Sequence, residues 1–302
     1  MCGIVGYLDR TNNEHAPVGC VILGMLDALG CRGPDSAGVA VFGPSSPERF
    51  AVRVKLGDHG DFAGRAEQVF GVAQSCGAAG ALSTTGPYLR LEIDTAADPR
   101  KLAGAIENLH PEIEVVSIGC KLEIVKQVGS PRHLDESYGV SKFQGTHGLG
   151  HTRLSTESRV DLSHSQPFWA HGRPDLAIVH NGHITNYHQL RRRYEQHGVR
   201  FYTENDSEVI AIYLAGQLSK GAGLACAFQA MLRELDGSFS CLAATAEEFG
   251  FVKDPFAFKP LVFAETDRFV ALATEEIALR SALPGDYVVR EAQVKEWRVW
   301  QR

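Results

Sequence analysis

Met1-Cys2-Gly3-Ile4-Val5-Gly6-Tyr7-Leu8 opens the chain. Cys2 to Leu8 is short, apolar and partly β-branched, the pattern of a buried strand. A cysteine at position 2 carries chemistry as well. Methionine is usually trimmed before a small residue, and trimming would place a free α-amine and a thiol on one residue. An α-amine has an ordinary pKa of about 7.7–8.0, so it serves as a base near neutral pH. One terminal residue then supplies both nucleophile and proton acceptor. Gly3 and Gly6 are read as points where the backbone turns tightly and admits a ligand close to the thiol.

Moving outward, the 302 residues suffice for a sizeable core. Apolar residues make up 44% and charged residues 22%, with a formal net charge of −6. That balance excludes a basic nucleic-acid footprint. Arg191-Arg192-Arg193 is read as a solvated helix face. No stretch reaches the eighteen apolar residues of a membrane span, and the first residues carry no signal-peptide pattern, so a cytoplasmic protein is expected. The seven cysteines are odd in number and without a CxxC pair, against a disulfide framework or a metal site. The six beyond Cys2 read as small core residues.

Val18 to Leu29 reads as an apolar helix, followed by the turn chemistry of Arg32-Gly33-Pro34-Asp35. Ala37–Phe42 and Phe50–Leu56 read as strands of an antiparallel sheet. Residues 57–144 differ in texture and read as a small α/β insertion, with a strand at Leu89–Ile93, a helix capped by Asp98-Pro99 and one or two strands in Glu114–Val128. His110, Lys121 and His133 in it are expected at the surface. Beyond it come a stretch at Gly148–Ser155 that leads into a loop, a strand ending at Asn181-Gly182, a charged helix at Tyr187–His197, amphipathic helices at Asp206–Leu218 and Leu224–Leu235, and several short strands. Grouped helices between many short strands suggest layered α+β packing.

Three further groups suit the chemistry of Cys2. Asn181 and Gly182 offer a side-chain amide and a backbone N–H, suitable donors to an oxyanion, against the alternative of an ordinary Asn-Gly turn. Arg153 can clamp a carboxylate with two parallel hydrogen bonds. Asp206 stands at a helix start, where N-capping alone would explain it.

Together these segments resemble the class II glutamine amidotransferases. The resemblance runs in order through Met1–Gly6, Arg32–Gly38, Gly150–Thr156, His180–Gly182, Asn205–Ile210, Leu235–Phe239 and Lys253–Phe256. It implies an α+β, four-layer αββα sandwich of the Ntn-hydrolase type over residues 2–302, interrupted by the insertion at about 57–144. It implies that Cys2 attacks the side-chain amide of glutamine, that Asn181 and Gly182 stabilise the oxyanion, that Arg153 and Asp206 hold the α-carboxylate and α-ammonium, and that Thr156 and Arg32 support the pocket. Leu154, His183 and Cys31 depart from the family's usual aromatic, acid and His or Gln at those places.

The sequence runs out at Arg302 just after this region, which leads to the expectation of a subunit whose ammonia goes to a partner. Length and insertion resemble the amidotransferase subunit of N-methylglutamate synthase and glutamate-synthase-like complexes. No cofactor is expected in this chain; FMN and an iron–sulfur cluster are expected in the partner subunits. The alternatives are a free-standing amide hydrolase of the same fold and a catalytically silent glutamine-binding subunit.

Overall fold

The computed structural model describes residues 2–44, 46–154 and 160–302. Strands and helices are numbered along the chain. Alternation in the first strand, β1 (Gly3–Asp9), sets the layering. Ile4 and Leu8 enter one core and Val5 and Tyr7 the opposite one, because successive side chains leave a strand on opposite faces. Both faces are therefore covered, and β1 lies near the middle of a seven-stranded sheet. Its order is β15 (Val289–Glu291), β13 (Val262–Glu265), β14 (Phe269–Ala273), β1, β8 (His147–Arg153), β2 (Ser36–Phe42), β7 (Leu122–Val128).

A five-stranded sheet faces it, in the order β16 (Trp297–Gln301), β12 (Glu248–Lys253), β11 (Gly237–Thr245), β10 (Leu176–Ile184), β9 (Phe168–Trp169). Ala177 and Val179 of β10 point into the core shared with Ile4 and Leu8; Leu176 and Ile178 point away from it. The outer face of the seven-stranded sheet packs on α1 (Val18–Ala28), α4 (Pro131–Tyr138) and α8 (Glu276–Ala282). The outer face of the five-stranded sheet packs on α5 (Tyr187–Gln196), α6 (Asp206–Leu218) and α7 (Leu224–Glu234). The result is the expected α+β, four-layer αββα sandwich.

A third sheet has the order β4 (Ala79–Thr85), β5 (Tyr88–Asp94), β3 (Arg49–Lys55), β6 (Glu114–Gly119) and carries α2 (Phe62–Cys76) and α3 (Pro99–Glu107). It spans Arg49–Gly119, whereas the distinct stretch read from sequence was 57–144. The difference lies in β3, which leaves β2 for the third sheet, and in β7, which returns to pair with β2 along its whole length. Asp98 caps α3 with its carboxylate on the Arg100 and Lys101 amides, and Pro99 opens the helix.

Several expectations are corrected. Gly148–Arg153 is not a loop approach but the central strand β8, buried throughout and paired on both sides. Of the six other cysteines only Cys241 is buried; Cys20, Cys31 and Cys226 are exposed. Lys121 is buried, with its ammonium 2.7 Å from Glu247. Arg191 is no freely solvated residue, since it bonds Glu195, the Tyr187 hydroxyl and the Thr203 carbonyl. Helix α6 is buried around most of its circumference instead of amphipathic. Gly3 and Gly6 make no turn. A Cβ at Gly3 would stand 2.8 Å from Thr152 Oγ1 of the neighbouring strand, and one at Gly6 2.8 Å from the Phe249 ring of the facing sheet, so each glycine admits a packed neighbour.

His147 joins the two main sheets. It stacks on Phe42 at 4.2 Å, Nε2 lies 2.8 Å from the Thr245 carbonyl, and Nδ1 lies 2.8 Å from Thr146 Oγ1. Burial pushes its pKa down to about 4, and that of His151 down to about 3. An unfolded histidine titrates near 6.5, so between these values the unfolded chain binds more protons. Stability is therefore full above pH ~6.5 and falls as pH drops toward about 4. Urea unfolding followed across this window is expected to show a falling midpoint. Burial pulls His180 down as well, so His147→Leu removes one of three such groups and flattens the slope; an unchanged slope would refute the assignment.

Candidate active site

Cys2 lies just ahead of β1, at the edge where the two main sheets face each other. Its carbonyl accepts a 3.0 Å hydrogen bond from Asn181 Nδ2 of β10, so a residue of the opposite sheet holds the backbone of Cys2. Its Sγ lies 3.7 Å from the Leu154 carbonyl. The start of β1 is tied down from the other side as well, since Thr274 Oγ1 accepts from the Ile4 amide at 2.8 Å.

Cys2, Asn181, Gly182, Arg32, Leu154, Lys259, Pro260 and Thr274 line one cavity of about 220 Å³. That is below the usual range for drug-sized ligands and suits a small molecule. Asn181-Gly182 is not a turn: β10 continues through it to Ile184 and pairs with β11 throughout. Gly182 has φ +144° and a Cβ there would stand 2.1 Å from the Ser238 carbonyl oxygen, so no other residue fits without moving the neighbouring strand.

The Arg32–Asp35 segment is stitched to the end of β8. The Asp35 amide donates to the Arg153 carbonyl at 3.0 Å, and a Cβ at Gly33 would stand 2.5 Å from the Thr152 carbonyl carbon. This close approach explains a glycine before Pro34. Arg32 then faces the cavity while its guanidinium pairs with Glu275, just ahead of α8.

Arg153 and Asp206 are not among the residues lining this cavity. Arg153 is buried and donates to the His164 carbonyl at 2.9 Å. Burial pulls its pKa down, while Cys2, Asp161 and Asp35 nearby act in the opposite sense. Asp206 is not the N-cap of α6. Asn205 is, accepting from the Ser207 amide at 3.0 Å. Asp206 instead accepts from the Ile184 amide at 2.9 Å and lies 3.6 Å from His180 and 3.8 Å from His183. It thereby ties the end of β10 to α6. Thr156 lies outside the described residues.

Sequence reasoning missed Lys259, Pro260 and Thr274 as pocket residues. It also missed the support behind them. Asn181, Ser240 and Lys253 form one cross-strand row over β10, β11 and β12. Lys253 is completely buried; its ammonium donates to Ser240 Oγ at 3.1 Å and to the Lys259 carbonyl, which also accepts from Ser240 Oγ at 2.9 Å. Asp254 Oδ1 accepts from the Phe256 and Ala257 amides. The loop that carries Lys259 and Pro260 to the cavity is thus held from below by a buried cation. Lys253→Met removes that donor, and a lost bond of this kind costs about 1–3 kcal/mol. The expected result is a lower unfolding midpoint and a raised KM for the substrate of this cavity, with Lys253→Arg recovering part of both. An unchanged KM in Lys253→Met would separate the loop from substrate binding.

Comparison with known proteins shows the family. The description "Glutamine amidotransferase domain" matches residues 151–281. The Glutamine amidotransferase-like protein GlxB of Rhizobium meliloti is 34% identical over 302 residues, all of this chain and 95% of that protein. The chain belongs to the class II glutamine amidotransferases. A putative glutamine amidotransferase of Methanothermobacter thermautotrophicus is 32% identical over 289 residues, 94% of either chain. Among solved structures, the glutamine phosphoribosylpyrophosphate amidotransferase of B. subtilis superposes with a TM-score of 0.62 at 20% identity. It covers 99% of this chain and 47% of the other, so this class II amidotransferase spans about half the length of that enzyme and shares the fold of that half. Among the described residues no helix is long and apolar enough to cross a membrane, and no cluster of His, Cys, Asp and Glu has the arrangement of a metal site.

Proposed function

We propose that Cys2, freed at its amine by loss of Met1, is the nucleophile of a glutaminase half-reaction. The observation that carries this reading is the placement of the Cys2 thiol in one small cavity with Asn181 and Gly182. The thiol adds to the side-chain carbonyl of glutamine and the α-amine takes its proton. Asn181 Nδ2 and the Gly182 amide stabilise the oxyanion. The C–N bond breaks, the amine returns a proton to the departing ammonia, and water hydrolyses the thioester to glutamate. Arg153 holds the α-carboxylate and Asp206 the α-ammonium, which requires both to turn toward the cavity from the backbone contacts they keep here. Arg32 and Thr156 support the pocket.

The ammonia passes to a partner synthase in a hetero-oligomer of the N-methylglutamate synthase or glutamate-synthase-like kind. FMN and an iron–sulfur cluster belong to those partner chains. Intact mass and glutamine turnover of the purified chain test the first part. Loss of Met1 with glutamate release supports it; retained Met1 with no turnover beside partner subunits favours a silent glutamine-binding subunit. Purification from the native source tests the second part, and the absence of a co-purifying synthase chain would count against it.

A further inference from the structure

A second cavity, of about 400 Å³, lies between the third sheet and the β2–β7 edge of the seven-stranded sheet. It shares no lining residue with the Cys2 cavity. Its charged wall comes from alternate positions of adjacent strands. Arg49 and Arg53 stand on β3, Arg90 and Glu92 on β5, with Arg53 and Arg90 directly opposite each other. Both guanidiniums grip Glu123 of β7, Arg53 at 2.7 Å and Arg90 through two bonds of 2.9 and 3.1 Å. Arg90 also reaches Glu92 at 3.0 Å. Lys121, on the same lining, is matched by Glu247 outside it.

In this pairing Arg53 and Arg90 are balanced by Glu123 and Glu92, and Lys121 by Glu247. Arg49 remains. Among the described residues no carboxylate lies within ion-pair distance of its guanidinium, whose hydrogen bond there is a long 3.4 Å contact to the Ala78 carbonyl. Gly80 makes room for it, since a Cβ there would stand 2.6 Å from Arg49 Nη1. Arg49 is thus a half-buried residue whose guanidinium pairs with no described carboxylate, on a concave lining that carries four basic and two acidic side chains, in a chain whose net charge is −6. Guanidinium donors of this kind match phosphate and carboxylate oxygens in pairs.

We infer that this cavity binds a small metabolite through an oxyanion group, a phosphate or a dicarboxylate, with Arg49 as its principal contact. The inference stands apart from the glutaminase reading and does not involve Cys2. Calorimetric titration of the full chain with inorganic phosphate and, separately, with succinate tests it. Saturable heat with phosphate alone assigns a phosphorylated ligand; with succinate alone, a dicarboxylate. Arg49→Gln keeps a donor for Ala78 but removes the charge, and it is expected to weaken binding about tenfold or more. Its unfolding midpoint without anion shows that the fold is intact, and Arg49→Lys should retain part of the affinity. No saturation with either anion, equal binding by Arg49→Gln, or heats reproduced by sodium chloride at the same ionic strength would overturn the site.

Discussion

Cys2→Ala is expected to abolish glutamate release from glutamine, a fall on the order of 10⁴-fold to 10⁶-fold, as when the nucleophile of a covalent mechanism is removed. The fold should survive. Cys2 stands ahead of β1, and its anchoring bond to Asn181 runs through its backbone carbonyl, which alanine keeps. An unchanged unfolding midpoint together with lost turnover would therefore assign the loss to the thiol. Cys2→Ser should hydrolyse glutamine far more slowly than the wild type, because a hydroxyl is a poorer nucleophile than a thiol in the same position. If the α-amine is the base, kcat/KM rises with pH through about 7.7–8.0, the ordinary range of that group. Glutamate release by Cys2→Ala at the wild-type rate would remove the mechanism altogether, whatever the family.

What was legible in the sequence follows the range of the interactions involved. Helices α1, α6 and α7 were visible because their apolar residues recur over several turns, and α3 because Asp98-Pro99 marks its start. Helix α2 escaped notice because its buried stripe is Ala66, Val69 and Ala73, small residues with weak contrast against their neighbours. β2 and β3 both alternated, but alternation reports exposure and not partnership. β2 pairs with β7, more than eighty residues later, and β3 with β5 and β6. The site shows the same division. Cys2, Asn181 and Gly182 were singled out by residue type and setting, and they line one cavity. Lys259 and Thr274 carry no local signal: Thr274 reaches the cavity because β14 pairs with β1, and Lys259 because a buried lysine on β12 holds its carbonyl. Asp206 misled in the other direction, since its place at a helix start suggested a cap while Asn205 performs that role and Asp206 secures β10.

Asn181 is the second place where a large effect is expected. Its amide nitrogen carries two hydrogens. One is directed at the Cys2 carbonyl at 3.0 Å, which fixes the plane of the amide relative to the nucleophile. The other is left for the cavity that Asn181 and Cys2 share, beside the backbone of Gly182. If Asn181 serves the oxyanion, an oxyanion formed on a carbon bonded to Sγ is the acceptor for that second hydrogen. Such preorganised donors are worth about 3–4 kcal/mol, or about 10²–10³ in kcat. Asn181→Ala should lose this much while still forming a slow thioester, because thiol and amine remain. Asn181→Asp should be worse: the shape is kept, but the one nitrogen that carried both hydrogens becomes an acceptor oxygen, set against the Cys2 carbonyl and against the developing negative charge. A purely structural Asn181 would produce another pattern, with a lowered unfolding midpoint, a raised KM for glutamine and a nearly unchanged kcat. Steady-state kinetics of the two variants beside their unfolding curves distinguishes these cases, and a kcat within a few-fold of wild type in Asn181→Asp would remove Asn181 from the oxyanion site.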